Sequence, residues 1–279
     1  MRLPIKLNSD YWPKALENIL PSSVDPRILC HNNVDETIFS KAISTFKFGN
    51  TFKTTRNDRS PLSITELCYL VKNTQPIILD IGASDGSTSL NVIRSIPFAR
   101  YYVTDLNIQV WLKDIGRTTY FYDNEGRCIL AVTDKFIIYA DTDSALFPFG
   151  KIAKSVINKG LNIGDNLSKI ILINPALQAI NDNRIIIKKY DLFQAWPYEK
   201  VDVIIAANIL NKAYFDDSNI IQALKNMVSV LNEKGLIAII DNRPDEKASI
   251  FKYVGGKIML KKRINAGSDI EGLVLTTLG

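Results

Sequence analysis

Pro76-Ile77-Ile78-Leu79-Asp80-Ile81-Gly82-Ala83-Ser84-Asp85-Gly86-Ser87 is the stretch whose reading decides the fold. Residues 76–81 are a short, nearly continuous apolar run interrupted only by Asp80. Such a run suits a strand buried on both faces, as in a parallel sheet. Two glycines follow within five residues, and Ser87 to Ile96 then suits a helix. Strand, Gly-bearing turn and helix in that order open a parallel α/β arrangement. Ligands of such sheets sit outside the carboxyl ends of the strands, so this turn is where a site is expected first.

The same grammar continues outward. Tyr101 to Asp105 reads as a second strand ending in a carboxylate, Arg184 to Tyr190 as a third, and Val201 to Ala207 as a fourth. Asp217 to Leu231 places Ile220, Ile221, Leu224, Met227, Val228 and Leu231 near helical spacing. Gly235 then turns the chain into a fifth strand, Leu236 to Ile240. Lys257 to Lys262 and Gly272 to Thr277 follow without a helix between them, with Gly267 in the connection. They read as an antiparallel hairpin at one sheet edge.

Two regions stand apart. Residues 1–75 look helical and irregular, with a helix from Ser9 or Asp10 to Leu20 and another from Val34 to Thr45. A third is expected behind a capping box, Ser63-Ile64-Thr65-Glu66. About 78 residues lie between Asp105 and Arg184, far more than a plain crossover needs. Within them Thr119–Tyr122 and Arg127–Val132 flank the hairpin signal Asp123-Asn124-Glu125-Gly126. Lys135–Ala140 and Lys169–Ile173 suit further strands, and Phe149–Asn158 suits a helix. The expected division is therefore a helical segment or cap at 1–75 and a core at 76–279, interrupted by an inserted α+β cap at 106–183.

Composition narrows the class. The 279 residues are 46% hydrophobic and 23% charged, which excludes disordered, collagenous and disulfide-scaffold chains. No apolar run approaches the roughly 18 residues of a spanning helix, and Met1–Asp10 has no apolar signal-peptide region. Cys30, Cys68 and Cys128 are odd in number and far apart, as expected of free thiols in a reducing compartment such as the cytoplasm. With one histidine, His31, and no CxxC pair, little material exists for a zinc site, and no metal is expected. The net charge of +5 permits a nucleic-acid or anionic partner without requiring one; the basic cluster Lys257, Lys261, Lys262 and Arg263 reads as a solvated hairpin face.

The first turn discriminates between ligands. A dinucleotide-binding G-x-G-x-x-G would need glycine at Ser84 and Ser87, and no Walker lysine is present. Asp80 and Asp85 place negative charge where a pyrophosphate would lie. One such repulsion, at about 4 Å and an effective dielectric of about 20, costs about 4 kcal/mol before screening. A ligand with an ammonium reverses that sign. S-adenosylmethionine carries one: Asp80 can attract it directly or through water, and Gly82 leaves room for backbone approach. Asp105, 25 residues after Asp80, can accept the ribose hydroxyls. Asp191 can accept from the adenine amino group with Leu192 against the ring, and Asn208 can line the methyl end.

Leu79-Asp80-Ile81-Gly82-Ala83-Ser84-Asp85-Gly86 resembles motif I of the class I S-adenosylmethionine-dependent methyltransferases. Val103-Thr104-Asp105, Lys189-Tyr190-Asp191-Leu192-Phe193, Val201 through Asn208, and Leu231-Asn232-Glu233-Lys234-Gly235-Leu236 follow in that family's order. The resemblance covers residues 76–105 and 184–279. It implies a Rossmann-like, doubly wound, mainly parallel seven-stranded α/β sheet with an antiparallel C-terminal hairpin. It also implies S-adenosyl-L-methionine as cofactor, held by Asp80, Gly82, Ser84, Gly86, Asp105, Asp191, Leu192 and Asn208. Motif I usually has glycine where Ser84 stands. The Asn/Asp-Pro-Pro-Tyr of amino-methylating enzymes is absent after strand four, where Asn208-Ile209-Leu210-Asn211 stands instead.

Each residue also has a plain structural reading. Asp80 could cap the following helix, Asp105 and Asp191 suit strand-end turns, and Asn208 suits a turn. Trp12, Trp111 and Trp196 suit core or cap packing as readily as stacking on a substrate. His31 or Asp241 could serve as a general base for an oxygen nucleophile, or be structural. The expected activity is methyl transfer to oxygen or nitrogen of a small molecule or biosynthetic intermediate. An RNA or protein acceptor, and a noncatalytic binding protein with the same fold, are the alternatives.

Overall fold

A computed structural model describes residues 5–7, 21–31, 34–49, 51–54, 60–141, 149–161, 166–242 and 244–279. The chain falls into two compact units, Met1–Thr55 with Asn107–Pro175, and Arg56–Leu106 with Ala176–Gly279. This differs from the division expected at 75, 106 and 183. The reason is pairing: N-terminal strand Ile5–Leu7 joins Phe136–Tyr139 antiparallel, so the first residues and the insertion share one sheet. The expected helix between Ser9 and Leu20, with Trp12, lies outside the described residues.

The second unit contains the anticipated α/β sheet. Its strands are β1 (Ile77–Ile81), β2 (Arg100–Asp105), β3 (Ile185–Lys189), β4 (Val201–Ala207), β5 (Leu231–Asn242), β6 (Glu246–Val254) and β7 (Lys257–Ile264). Its helices are α1 (Pro61–Leu70), α2 (Ser87–Ser95), α3 (Asp217–Ser229) and α4 (Glu271–Leu278). The spatial order is 3-2-1-4-5-6-7. β1 to β5 run parallel, β6 runs antiparallel to β5, and β7 runs antiparallel to β6. The first five positions follow the Rossmann order, with the reversal between β1 and β4.

Alternation within the strands explains the two layers. Leu79, Ile81, Tyr102, Ile204, Ala206, Ile237 and Ile239 face a core completed by Ile220, Ala223, Leu224 and Met227 of α3 and Val274 of α4. Burying each such side chain contributes about 1.5–3 kcal/mol. The alternate residue Asp80 points to the opposite face and meets Ser89 of α2. α1 packs on α2 and β5. Helices thus cover both faces, and the sheet is doubly wound and Rossmann-like.

Two sequence expectations are corrected. Gly272–Thr277 is not a strand but most of α4; the hairpin partner of β7 is β6. The β-branched Val274, Thr276 and Thr277 suggested a strand, yet Ile270, Val274 and Leu278 repeat every four residues and pack into the core. The capping box at Ser63 does not form. Pro61 takes the first turn, and the Glu246 carboxylate from β6 accepts from the N–H groups of Leu62 at 3.0 Å and Ser63 at 2.7 Å. The exposed charges Lys257, Lys261, Lys262 and Arg263 lie on edge strand β7, where they discourage further strand pairing. Lys262 pairs with Glu66, and Arg263 with Glu271.

The first unit is a second seven-stranded sheet. Its order is Ser168–Ile171, Gln109–Ile115, Thr118–Tyr122, Cys128–Val132, Phe136–Tyr139, Ile5–Leu7 and Ser22–Ser23. Phe121, Leu130 and Val132 pack with Phe39 and Ile43 of helix Glu36–Ile43. Their neighbours Tyr120, Tyr122 and Ala131 pack with Ala153 and Ile157 of helix Phe149–Lys159. The expected hairpin turn forms at residues 123–126, where Asp123 Oδ1 accepts from the N–H groups of Glu125 and Arg127, each at 2.9 Å. Among the described residues, no helix is long and apolar enough to cross a membrane.

Replacing Glu246 with alanine removes a carboxylate cap from α1. The expected loss is about 1–2 kcal/mol of unfolding free energy, read by chemical denaturation. An unchanged midpoint would contradict the capping role.

Candidate active site at the carboxyl edge of the sheet

Register brings the strand ends together. Ile81 lies opposite both Thr104 and Ala206, Asp105 opposite Lys189, and Ala207 opposite Ile240. Gly82, Asp105, Asp191, Asn208 and Asp241 therefore all stand at or just beyond the same sheet edge.

The turn after β1 is left-handed at three of five residues: Gly82 (φ 68°), Ser84 (φ 57°) and Gly86 (φ 81°). Glycine adopts this region without penalty, whereas Ser84 carries a strain of about 1–2 kcal/mol. Hydrogen bonds hold the shape. Ala83 N–H donates to Thr104 O at 2.9 Å, and Ser84 N–H donates to Asp105 Oδ2 at 2.9 Å. Asp85, fully buried, accepts from Ser87 N–H at 3.0 Å and Ser87 Oγ at 2.9 Å. The carboxyl group at the helix start is thus that of Asp85, not Asp80.

Asp80 lies deeper than expected, at 2% exposure. Its Oδ2 accepts from Ser89 Oγ at 2.6 Å and Tyr101 Oη at 2.9 Å. Burial pushes its pKa up to about 6, against the two hydrogen bonds, which favour the charged form; the Asp105 charge adds to the rise. Burial and the nearby Asp80 charge also raise Tyr101 well above the usual phenol range. Asp80, expected to attract an ammonium directly or through water, is bonded here to β2 through Tyr101 and to α2 through Ser89.

The other candidates divide. Asp105 is half-buried with one oxygen on the turn. Asp191 Oδ1 accepts from Phe193 N–H at 3.0 Å, the ordinary strand-end turn. Leu192 is 7% exposed and belongs to the core. Asn208 is left-handed (φ 59°), and its Oδ1 accepts from Asn242 N–H at 2.8 Å, tying β4 to β5. Asp241 is buried, and its Oδ2 accepts from Asp269 N–H at 3.0 Å. His31 is exposed and belongs to the other unit. No group of three metal-ligating side chains occurs among the described residues.

Sequence reading missed Ser89, Tyr101, Leu177 and Ile209. A Cβ built on Gly82 would lie 2.3 Å from Ile209 Cδ1, and one on Gly86 would lie 2.4 Å from Leu177 Cδ2. Both glycines are therefore favoured by φ, and a Cβ at either would make the end of a neighbouring side chain shift. Ser84 Oγ is one of four buried side-chain polar atoms without a partner among the described residues. An unpaired buried hydroxyl costs about 1–3 kcal/mol, so it offers a ligand an unmet bond. The half-buried Asp105 carboxylate lies on the same turn, accepting from Ser84 N–H. Positions 82–86 contain no Lys or Arg for a phosphate.

No protein-family model and no curated protein matches the chain. Among solved structures it is similar to the N-methyltransferase NodS of Bradyrhizobium japonicum, determined with S-adenosyl-L-homocysteine, at 16% identity and TM-score 0.33. That match covers 66% of this chain and 63% of NodS. A Methanococcus maripaludis protein assigned to the S-adenosyl-L-methionine-dependent methyltransferases matches at 14% identity and TM-score 0.36, covering 76% and 66% of the two chains. An O-methyltransferase family 2 protein of Planctomyces limnophilus, determined with apigenin, matches at 13% identity and TM-score 0.30, covering 62% and 33%. The chain thus spans between a third and two thirds of these proteins' lengths. Its Rossmann-like fold rests on strand order and direction rather than on these alignments.

Two outcomes follow from the site geometry. Because the Asp80 pKa is raised on folding, its contribution is fully present below about pH 4 and declines as pH rises through about 6, by up to about 3 kcal/mol. Asp80→Asn should abolish that part of the pH dependence in denaturation curves from pH 4 to 7. Gly82→Ala should cost at least about 2 kcal/mol through φ and the Ile209 contact. Adding Ile209→Val should recover part of the loss, and equal losses with and without it would contradict the contact.

Proposed function

We propose that this protein binds S-adenosyl-L-methionine at the carboxyl edge of β1 and β2 and transfers its methyl group to oxygen or nitrogen of a small molecule or biosynthetic intermediate. The observation that carries the reading is the hydrogen bond from Ser84 N–H to Asp105 across the turn, within a 3-2-1-4-5 parallel order. It sets a carboxylate beside a phosphate-repelling turn, at the place where α/β sheets of this order bind nucleotides. Asp105 would accept the ribose hydroxyls, Ser84 Oγ would gain a partner, and Asp191 would accept from the adenine amino group. Bound, the cofactor supplies a methyl group already activated on a sulfonium.

The chain's remaining task would be alignment and exclusion of water. Asp241 accepts from Asp269 N–H through Oδ2; an oxygen acceptor would be helped by a general base, and an amine acceptor would need none. The three free cysteines support a reducing, cytoplasmic setting.

A noncatalytic binding protein is the second reading. Ile209 against Gly82 supports it, because the glycine expected to admit a ligand is already covered. An RNA or protein acceptor gains less support, since Lys262 and Arg263 are paired with Glu66 and Glu271.

Titration calorimetry with S-adenosylmethionine and S-adenosylhomocysteine tests the reading. Wild type should bind both, and Asp105→Ala should weaken both by roughly tenfold or more, from the loss of hydrogen bonds to a charged acceptor. Failure of folded wild type to bind either would hand the function to the noncatalytic reading.

A further inference from the structure

We propose that Ile209 gates the site, deciding whether it admits a ligand that carries a chain beyond the nucleoside. The proposal deepens the nucleoside-binding reading above and rests on it. Its starting observation is contact. An ideal Cβ on Gly82 would lie 2.3 Å from Ile209 Cδ1 and 3.2 Å from both Cβ and Cγ1. The isoleucine therefore lies along the glycine with three of its carbons, over backbone that lacks a side chain of its own.

The backbone beneath Ile209 is fixed. Asn208 N–H donates to Ile240 O at 2.8 Å, Asn208 Oδ1 accepts from Asn242 N–H at 2.8 Å, and Ile209 O accepts from Asn211 N–H at 3.0 Å. These bonds pin the segment from both sides. Clearing Gly82 thus falls to rotation of the Ile209 side chain, not to movement of the loop. Ile209 is only partly buried, so its outer carbons have somewhere to go. Its β-branch makes that rotation costly, because few χ1 rotamers are available.

The two ends of the site are controlled separately. Asp105 meets the turn at Ser84, whereas Ile209 meets it at Gly82. A nucleoside held through its hydroxyls at Asp105 leaves Ile209 in place. A ligand with an extended amino-acid chain that runs over Gly82 displaces it. The gate is thus a specificity determinant for the length of the ligand.

Adenosine and S-adenosylhomocysteine differ by that chain and are the probes. Each is titrated against wild type, Ile209→Val and Ile209→Ala, with the unfolding midpoint measured for every variant. Ile209→Val deletes only the carbon nearest Gly82, so it decides the matter even where Ile209→Ala does not fold. We expect S-adenosylhomocysteine to bind several-fold tighter to Ile209→Val and roughly tenfold tighter to Ile209→Ala, about 1.4 kcal/mol. Adenosine affinity should stay within about twofold of wild type in both, about 0.4 kcal/mol. Equal changes for the two ligands, or none, would overturn the gate while leaving the nucleoside site intact. Absence of binding of either ligand to all three proteins would instead overturn the nucleoside reading, and the gate with it.

Discussion

A single buried carboxylate organises the carboxyl edge of the sheet. Asp80 Oδ2 receives hydroxyls from Ser89 on α2 and Tyr101 on β2, so one atom fastens the first strand to its neighbour and to the helix that follows. Immediately above it, Thr104 Oγ1 donates to the Asp80 carbonyl at 2.7 Å. The left-handed turn at 82–86 is the exit from that junction, and its shape is dictated from below. An apolar residue at position 80 would take from the hydroxyls of Ser89 and Tyr101 the acceptor they share, a penalty of the same order as the raised pKa that the carboxylate endures.

Much of this was legible in the residues, and the boundary of legibility has physical causes. The parallel strands were readable because strands buried on both faces are short apolar runs ending in turn chemistry. The turn after β1 announced itself through two glycines. What stayed hidden were contacts made at long range. Nothing near Gly82 in the chain names Ile209, and nothing near Ser63 names Glu246. The antiparallel strand β6 escaped notice because Asp245, Glu246 and Lys247 look like loop, although Ala248 to Phe251 are fully buried. For α4 the local preference of Val and Thr for strands competed with the four-residue repeat, and the core decided in favour of the repeat.

The site candidates divide along the same line. Positions defined by a strand end, such as Asp105, kept the placement that sequence gave reason to expect. Those whose side chains could turn inward were claimed by the protein itself. Asp80, Asp85, Asp191, Asn208 and Asp241 all accept from this chain's own donors. A row of carboxylates at strand ends is therefore a poor measure of a ligand site until their internal partners are known. Asp105 accepts from Ser84 N–H in the same way, and what sets this pair apart is Ser84 Oγ, a buried hydroxyl without a partner among the described residues.

The antiparallel sheet of the first unit has a bearing on how the parallel one is assembled. Its strands Gln109–Ile115 and Ser168–Ile171 pair with Gln109 opposite Ile171, and Leu172 N–H donates to Ile108 O at 2.8 Å. The long segment between β2 and β3 therefore leaves and returns at neighbouring points. Left unstructured, a connection of that length carries about 2 kcal/mol more closure entropy than a short crossover. Once the antiparallel strands have paired, the ends behave as those of a short loop, and β3 finds β2 as though the insertion were absent. Chains that assemble the inserted sheet first avoid most of the search that a distant parallel partner imposes.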